Sequence, residues 1–140
     1  MRFFDTNVLI YAAIRQDEQK SKTALELIRH ALEVNHDGVI STQVMTEFVN
    51  VLQSRFKVPA EAIDEWVSQF YPLLATEVTM DAVRNAMRIK EEYGIQYYDA
   101  LIVATAEKLG CAEIVSEDLN DGQLYRGMAV VNPFKTRGLI

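Results

Sequence analysis

The sequence predicts an α/β fold in three layers, with helices on both faces of a central, mainly parallel sheet of four to five strands. Short apolar strands alternate with longer helical segments, the order that parallel pairing through crossover helices requires. One helical stretch, Ala100 to Ala106, is apolar on every side except at Thr105, so it belongs deep between other layers. No internal repeat, low-complexity stretch or linker divides the 140 residues, and the expectation is a single domain over 1–140 with one core.

Composition narrows the class. Hydrophobic residues make up 49% of the chain and only three residues are proline, which argues against disorder. No segment approaches the ~20 apolar residues of a membrane span. The apolar run Val8 to Ile14 is too short for a signal peptide and has Asp5 and Asn7 before it and Arg15, Asp17 and Glu18 behind it. A cytoplasmic protein with no membrane association is expected. The lone cysteine, Cys111, excludes an internal disulfide and sits among apolar neighbours, as a buried structural thiol would. His30 and His36 belong to no zinc-spaced cluster, so any metal must be held by oxygen. The net charge of −6 argues at first against nucleic acid. Carboxylates that bind divalent cations reverse that inference, because the loaded site presents positive charge to a phosphate.

Taken in order, Arg2 to Phe4 reads as a strand and Val8 to Ile14 as the opening of a helix, with Asp5-Thr6-Asn7 between them. A carboxylate there lies where open α/β sheets place their ligand crevices. All three residue types also favour helix caps, so capping and ligand binding both stand for this trio. Asp17 to Val34 carries an apolar stripe at Ala24, Leu25, Ile28, Ala31 and Leu32. Asp37-Gly38 turns the chain into the strand Val39-Ile40, and Ser41 or Thr42 caps a helix running to about Phe56. Its apolar arc includes Val44, Phe48, Val51 and Leu52, and Glu47 lies on the edge of that arc beside Val51. A carboxylate at the border of a buried face either stays solvated or points into a crevice.

Pro59 starts the next helix, whose stripe of Ala62, Ile63, Trp66, Val67 and Phe70 makes Trp66 a packing residue. Pro72 ends that pattern, and Thr76 to Val78 is a short strand or extended chain. Thr79 caps a helix to Tyr93 that Gly94 closes, with Val83, Ala86, Met87 and Tyr93 facing inward and Arg84 and Arg88 four apart on one flank. Gln96-Tyr-Tyr-Asp99 then opens the all-round apolar helix, with Asp99 in the first turn, where the macrodipole favours a carboxylate. Ala112 to Val115 is a strand ending in Ser116-Glu-Asp118, a repeat of the opening pattern of apolar strand, hydroxyl and carboxylate. Asp121-Gly122 is a turn, Met128 to Val131 the last strand, and Pro133 ends it.

Asp5 and Asp118 at strand ends, Asp99 at a helix start and Glu47 on a helix edge can converge at one edge of a parallel sheet. Several carboxylates so placed need countercharge. Hard oxygen ligands without histidine or cysteine select Mg²⁺ or Mn²⁺. Alternation past Val115 turns Ser116 and Asp118 one way and Glu117 the other, with Glu117 and Asp121 as alternatives for the fourth acid.

Asp5-Thr-Asn-Val-Leu, Glu47, Tyr98-Asp99-Ala-Leu-Ile and Ser116-Glu-Asp118 resemble the acidic motifs of PIN domains, in particular the VapC-type toxin ribonucleases, in motif order, spacing and length. The resemblance implies a PIN-like fold and a Mg²⁺/Mn²⁺-dependent endoribonuclease that leaves a 5′-phosphate and a 3′-hydroxyl. It implies Asp5, Glu47 and Asp99 as metal ligands with Asp118 as a fourth acid, Thr6 and Ser116 hydrogen-bonded within the site, and Asn7 orienting it. It further implies an RNA substrate, a homodimer, and a small antitoxin that pushes a basic side chain toward the acids. Candidates for gripping RNA are Lys20, Lys22, Arg84, Arg88, Lys135 and Arg137, which form no continuous basic run. Two other readings compete: a PIN-like scaffold or RNA-binding protein without catalysis, and a Mg²⁺-binding receiver domain. The receiver requires adjacent acids after the first strand and a mid-chain Asp at a strand end, and positions 50 to 60 contain no Asp.

Overall fold

The computed structural model describes residues 1–135. In chain order the elements are β1 (Arg2–Phe4), α1 (Thr6–Ala13), α2 (Glu18–His30), β2 (Gly38–Ser41), α3 (Thr42–Ser54), α4 (Ala60–Phe70), β3 (Leu74–Thr76), α5 (Met80–Tyr93), α6 (Tyr97–Lys108), β4 (Glu113–Val115), β5 (Leu124–Tyr125) and β6 (Met128–Val131). The strands form one six-stranded sheet in the order β3-β2-β1-β4-β6-β5. All neighbours pair parallel except β5 and β6, an antiparallel hairpin in which Leu124 faces Ala129. The expected four to five strands are therefore six. The addition is β5, whose two residues are too few to show any alternation.

Strand order explains where a site can form. From β1 the chain steps outward to β2 and β3, then returns across β1 to β4 on its other side. Right-handed crossovers, which parallel units adopt almost without exception, then place α1 to α4 on one face and α5 and α6 on the other. The side-by-side packing of α1 with α2 and α3, of α3 with α4, and of α5 with α6 agrees with that division. The order reverses between β1 and β4, and at such a reversal the two crossover connections diverge and leave a crevice beyond the strand ends. The backbone is closed right up to that edge: Asp5 N donates to Val115 O at 3.0 Å and Ser116 N to Val131 O at 3.0 Å.

The core that holds this edge rigid includes Phe3, Phe4, Val8, Leu9, Ile40, Phe48, Leu52, Ile102 and Ile114, all 2% exposed or less. Helix α6 is buried from Ala100 to Ala106, Thr105 included, as a helix apolar on nearly every side requires. Trp66 stacks on Phe70, which meets Phe48 edge-on, so it is a packing residue. Thr79 caps α5 through Ala82 N, and Gly94 ends it in the left-handed region at φ 65°. Gly38 is needed for contact rather than for a turn: a Cβ there would lie 2.5 Å from the Phe4 ring. Three local expectations change. Helix α1 starts at Thr6 rather than Val8, β3 lies at Leu74–Thr76 rather than Thr76 to Val78, and Met87 points outward at 54% exposure. Met87 follows the inward Ala86 by one residue, which is about 100° around the helix. No described helix is long and apolar enough to cross a membrane.

Candidate active site

A cavity of about 230 Å³ opens at the β1/β4 edge, lined by Asp5, Thr6, Asn7, Glu47, Asp99 and Asp118 with Gln96, Tyr98 and the apolar walls Ile10, Val51 and Ile102. The chain thus brings residues from the end of β1, from α1, α3 and α6, and from the loop after β4 to one place. Among the described residues, no lysine, arginine or histidine lines it.

Asp5 is the N-cap of α1, but its carboxylate does not serve in the usual way. An N-cap side chain ordinarily accepts from the second or third amide of the helix. Here Oδ1 accepts from the first, Thr6 N, at 2.7 Å, and Oδ2 accepts from Ser116 Oγ at 2.7 Å. That orientation turns the carboxylate across the sheet toward β4. Asp5 is 5% exposed, and burial pushes its pKa from 3.8 up to about 7. The hydrogen bonds from Ser116 and Thr6 oppose that rise, and the negative charges of Asp118 and Glu47 add to it.

Thr6 and Asn7 do not share the capping. The Thr6 hydroxyl reaches across to α3 and donates to Glu47 Oε2 at 3.1 Å, while Asn7 lines the cavity. Glu47 is half-buried at the edge of its helix and takes a second bond from Gln43 Nε2 at 2.7 Å. Asp99 stands in the first turn of α6, where Gln96 is the N-cap and makes no side-chain capping bond. Burial raises the Asp99 pKa, and repulsion from Asp118 and Glu47 raises it further. Asp118 is exposed at the mouth, and its amide donates to Ser116 Oγ at 3.1 Å. Ser116 therefore ties the loop to Asp5 through a single oxygen.

The two alternative acids are occupied elsewhere. Glu117 pairs with Lys20, which also lies over the rings of Tyr11 and Phe134. Asp121 accepts from Asn132 N at 2.9 Å and so closes the turn before β5. Gln43 was not singled out from the sequence, although it precedes Glu47 by four residues on one helix face. Among the described residues, the basic candidates do not gather at the acids. Arg84 and Arg88 line a separate cavity between α5 and α6 with Lys108, Asp81 and Glu107, and Lys22 lines a third with Arg15 and Glu26. Lys135 is exposed, and Arg137 lies outside the described residues.

The donor set suits a hard divalent cation: four mutually repelling carboxylates beside neutral polar side chains, with no basic group among the described lining residues to neutralise them. Among the described residues no three His, Cys, Asp or Glu side chains converge closely enough to coordinate one ion directly. Mg²⁺ tolerates that spacing, because it usually keeps several waters and takes only one or two carboxylates directly.

A family profile for the PIN domain matches residues 2–125, a stretch that contains all four acids. The chain belongs to the PIN-domain family. Solved structures share the fold over nearly the whole chain. A toxin–antitoxin complex from Klebsiella pneumoniae has a TM-score of 0.65 at 19% identity, covering 95% of this chain and 98% of that one. VapC20 of Mycobacterium tuberculosis, described as a sarcin–ricin loop cleaving toxin, has a TM-score of 0.65 at 18% identity, covering 84% and 92%. FitAcB from Neisseria gonorrhoeae has a TM-score of 0.65 at 16% identity, covering 97% and 100%. No curated protein matches the chain. The profile of this PIN domain stops before β6, so the cavity lies wholly within the matched stretch.

Ser116→Ala removes the donor to Asp5 and the acceptor for two amides of the loop. Its expected effect is a loss of about 1–3 kcal/mol in denaturant unfolding. An unchanged midpoint would show that the loop does not depend on this hydroxyl.

Proposed function

We propose that this PIN domain is a Mg²⁺- or Mn²⁺-dependent endoribonuclease, the toxin of a toxin–antitoxin pair, working in the cytoplasm as a homodimer until a small antitoxin blocks its acids. The observation that carries the reading is the ring of Asp5, Glu47, Asp99 and Asp118 around one cavity with no basic side chain among its described lining residues. These four would hold the cation, one or two of them directly and the others through waters it retains. When bound, it supplies a water of lowered pKa and neutralises charge on the phosphodiester.

The chain's own residues do the rest. Thr6, Gln43 and Ser116 keep Glu47 and Asp5 in fixed orientations. Ile10, Val51 and Ile102 wall the cavity with apolar surface, which limits competing water. Tyr98, 62% exposed at the lip, offers a ring face on which an unstacked base can rest. Its neighbour Tyr97 meets it edge-on and is itself fixed by a bond from its hydroxyl to Val83 O at 3.1 Å. An acidic mouth with a stacking surface and scattered cations suits a structured RNA loop, whose splayed bases supply the grip that charge does not. The RNA-loop activity by which VapC20 is described, together with the shared fold, supports the same substrate class.

The test is incubation of the purified protein with hairpin RNA in Mg²⁺, Mn²⁺ or EDTA, followed by mapping of the new ends. The expected result is cleavage in either metal, none in EDTA, and 5′-phosphate products. An uncut hairpin panel in both metals would instead favour a PIN-like scaffold.

A further inference from the structure

Gln43 lies one turn before Glu47 on α3 and is 8% exposed. Its Nε2 donates both to Glu47 Oε1 at 2.7 Å and to the Tyr98 carbonyl at 3.0 Å. Both partners accept only, so the amide nitrogen must face them; the flipped amide would set oxygen against oxygen twice. The orientation has a visible consequence. Gln43 Oε1 is buried with no hydrogen-bond donor among the described residues. A buried oxygen left unpaired is unfavourable, which points to a role for the two bonds that the nitrogen makes.

Those bonds join elements from opposite layers of the fold. Glu47 belongs to α3, and Tyr98 precedes Asp99 in the first turn of α6. The other Glu47 oxygen is held by Thr6 from α1 at 3.1 Å. Both oxygens of Glu47 are thereby fixed, and the turn that presents Asp99 is fastened to the same amide.

We propose that Gln43 is a positioning residue for the divalent cation, setting Glu47 and Asp99 relative to each other before the ion binds. This rests on the reading of the cavity as a cation site. Without the amide, Glu47 loses one of its two anchors and the Tyr98 carbonyl loses its tie to α3. Both carboxylates must then be ordered as the ion enters, and affinity falls. Groups that orient metal ligands typically contribute about 10–100-fold in metal affinity.

The experiment is Mn²⁺ titration calorimetry, without RNA, on the whole chain as wild type, Gln43→Leu and Gln43→Asn, with the melting temperature of each measured metal-free. Asparagine keeps the amide but is one methylene too short to reach both acceptors, and it carries the test if the leucine variant does not fold. Both variants are expected to bind Mn²⁺ roughly 10–100-fold more weakly. Cleavage of hairpin RNA by both is expected to return to within a few-fold of wild type at saturating Mn²⁺. Unchanged Mn²⁺ affinity in a folded variant, even one with a lowered melting temperature, would make Gln43 a packing residue and overturn the proposal. Wild-type protein that binds no Mn²⁺ would overturn the cation reading itself and this proposal with it, so the wild-type titration separates the two failures.

Discussion

Asp5→Asn and Asp99→Asn are each expected to lower Mn²⁺-dependent cleavage of hairpin RNA by about 10³-fold or more, the effect of losing roughly 4 kcal/mol of transition-state stabilisation. Both substitutions keep the side-chain shape and remove the charge that a cation needs. Asp5 is the more exacting case, because asparagine can still accept from Thr6 N but presents an NH₂ to the Ser116 hydroxyl. The fourth acid is settled by a parallel pair. Asp118 lines the cavity, whereas Glu117 is turned to Lys20. Asp118→Asn should therefore reduce cleavage by about 10–100-fold, as loss of one contributing carboxylate implies, while Glu117→Gln stays within a few-fold. Single-turnover rates at saturating RNA measure all four. Full activity in Asp5→Asn or Asp99→Asn would remove the carboxylates from the reaction.

The second large effect is on stability and runs through pH. The pKa of Asp5 is raised from 3.8 to about 7 on folding, mainly by burial. For an acid shifted upward, the protonated form is the one the fold favours. Its contribution is fully present below the unfolded pKa and is lost as pH rises through about 7. Asp99, also raised by burial and by its neighbours, acts in the same direction. Metal-free protein should thus melt at a lower temperature at about pH 8.5 than at about pH 5.5, by roughly 5 °C for a loss of ~1–2 kcal/mol. Saturating Mn²⁺ should reverse the loss at high pH, since an ion at 100 times its dissociation constant adds about 2.7 kcal/mol. Asp5→Asn cannot ionise there and should flatten the dependence, while gaining less from Mn²⁺. Melting curves of wild type and Asp5→Asn at both pH values, with EDTA and with Mn²⁺, give the comparison. A wild-type profile that rises with pH, or one that matches Asp5→Asn, would contradict the placement of Asp5.

How much of this was legible in the sequence depended on the length of each pattern. Strands β1, β4 and β6 and helices α3 to α6 announced themselves because an apolar strand or an apolar face persists through each. Strand β5 did not, because two residues carry no period and its existence depends on the hairpin with β6. The position of Asp5 was readable from its junction; its orientation was not. Whether the carboxylate caps α1 in the usual way or turns across the sheet is decided by Ser116, which follows β4 and lies 111 residues away from Asp5. What sets Glu117 and Asp121 apart from Asp118 is likewise a partner distant in sequence, Lys20 for Glu117 and Asn132 for Asp121. Gln43 is the residue that pattern alone undervalued. On α3 it is one more polar side chain, and only the approach of the Tyr98 carbonyl gives its amide a second partner. The basic residues illustrate the opposite case. Arg84 and Arg88 share a flank as their spacing requires, yet that flank faces a different cavity.

The expectations for cleavage and for Mn²⁺ binding rest on a divalent cation held at the β1/β4 edge. Diffraction from crystals soaked in Mn²⁺, collected to reveal anomalous scattering, locates such an ion without reference to activity. The expected result is a peak within the cavity bounded by Asp5, Glu47, Asp99 and Asp118, lost in Asp99→Asn crystals soaked identically. A peak elsewhere with none in this cavity, or no peak at saturating Mn²⁺, would contradict the assignment.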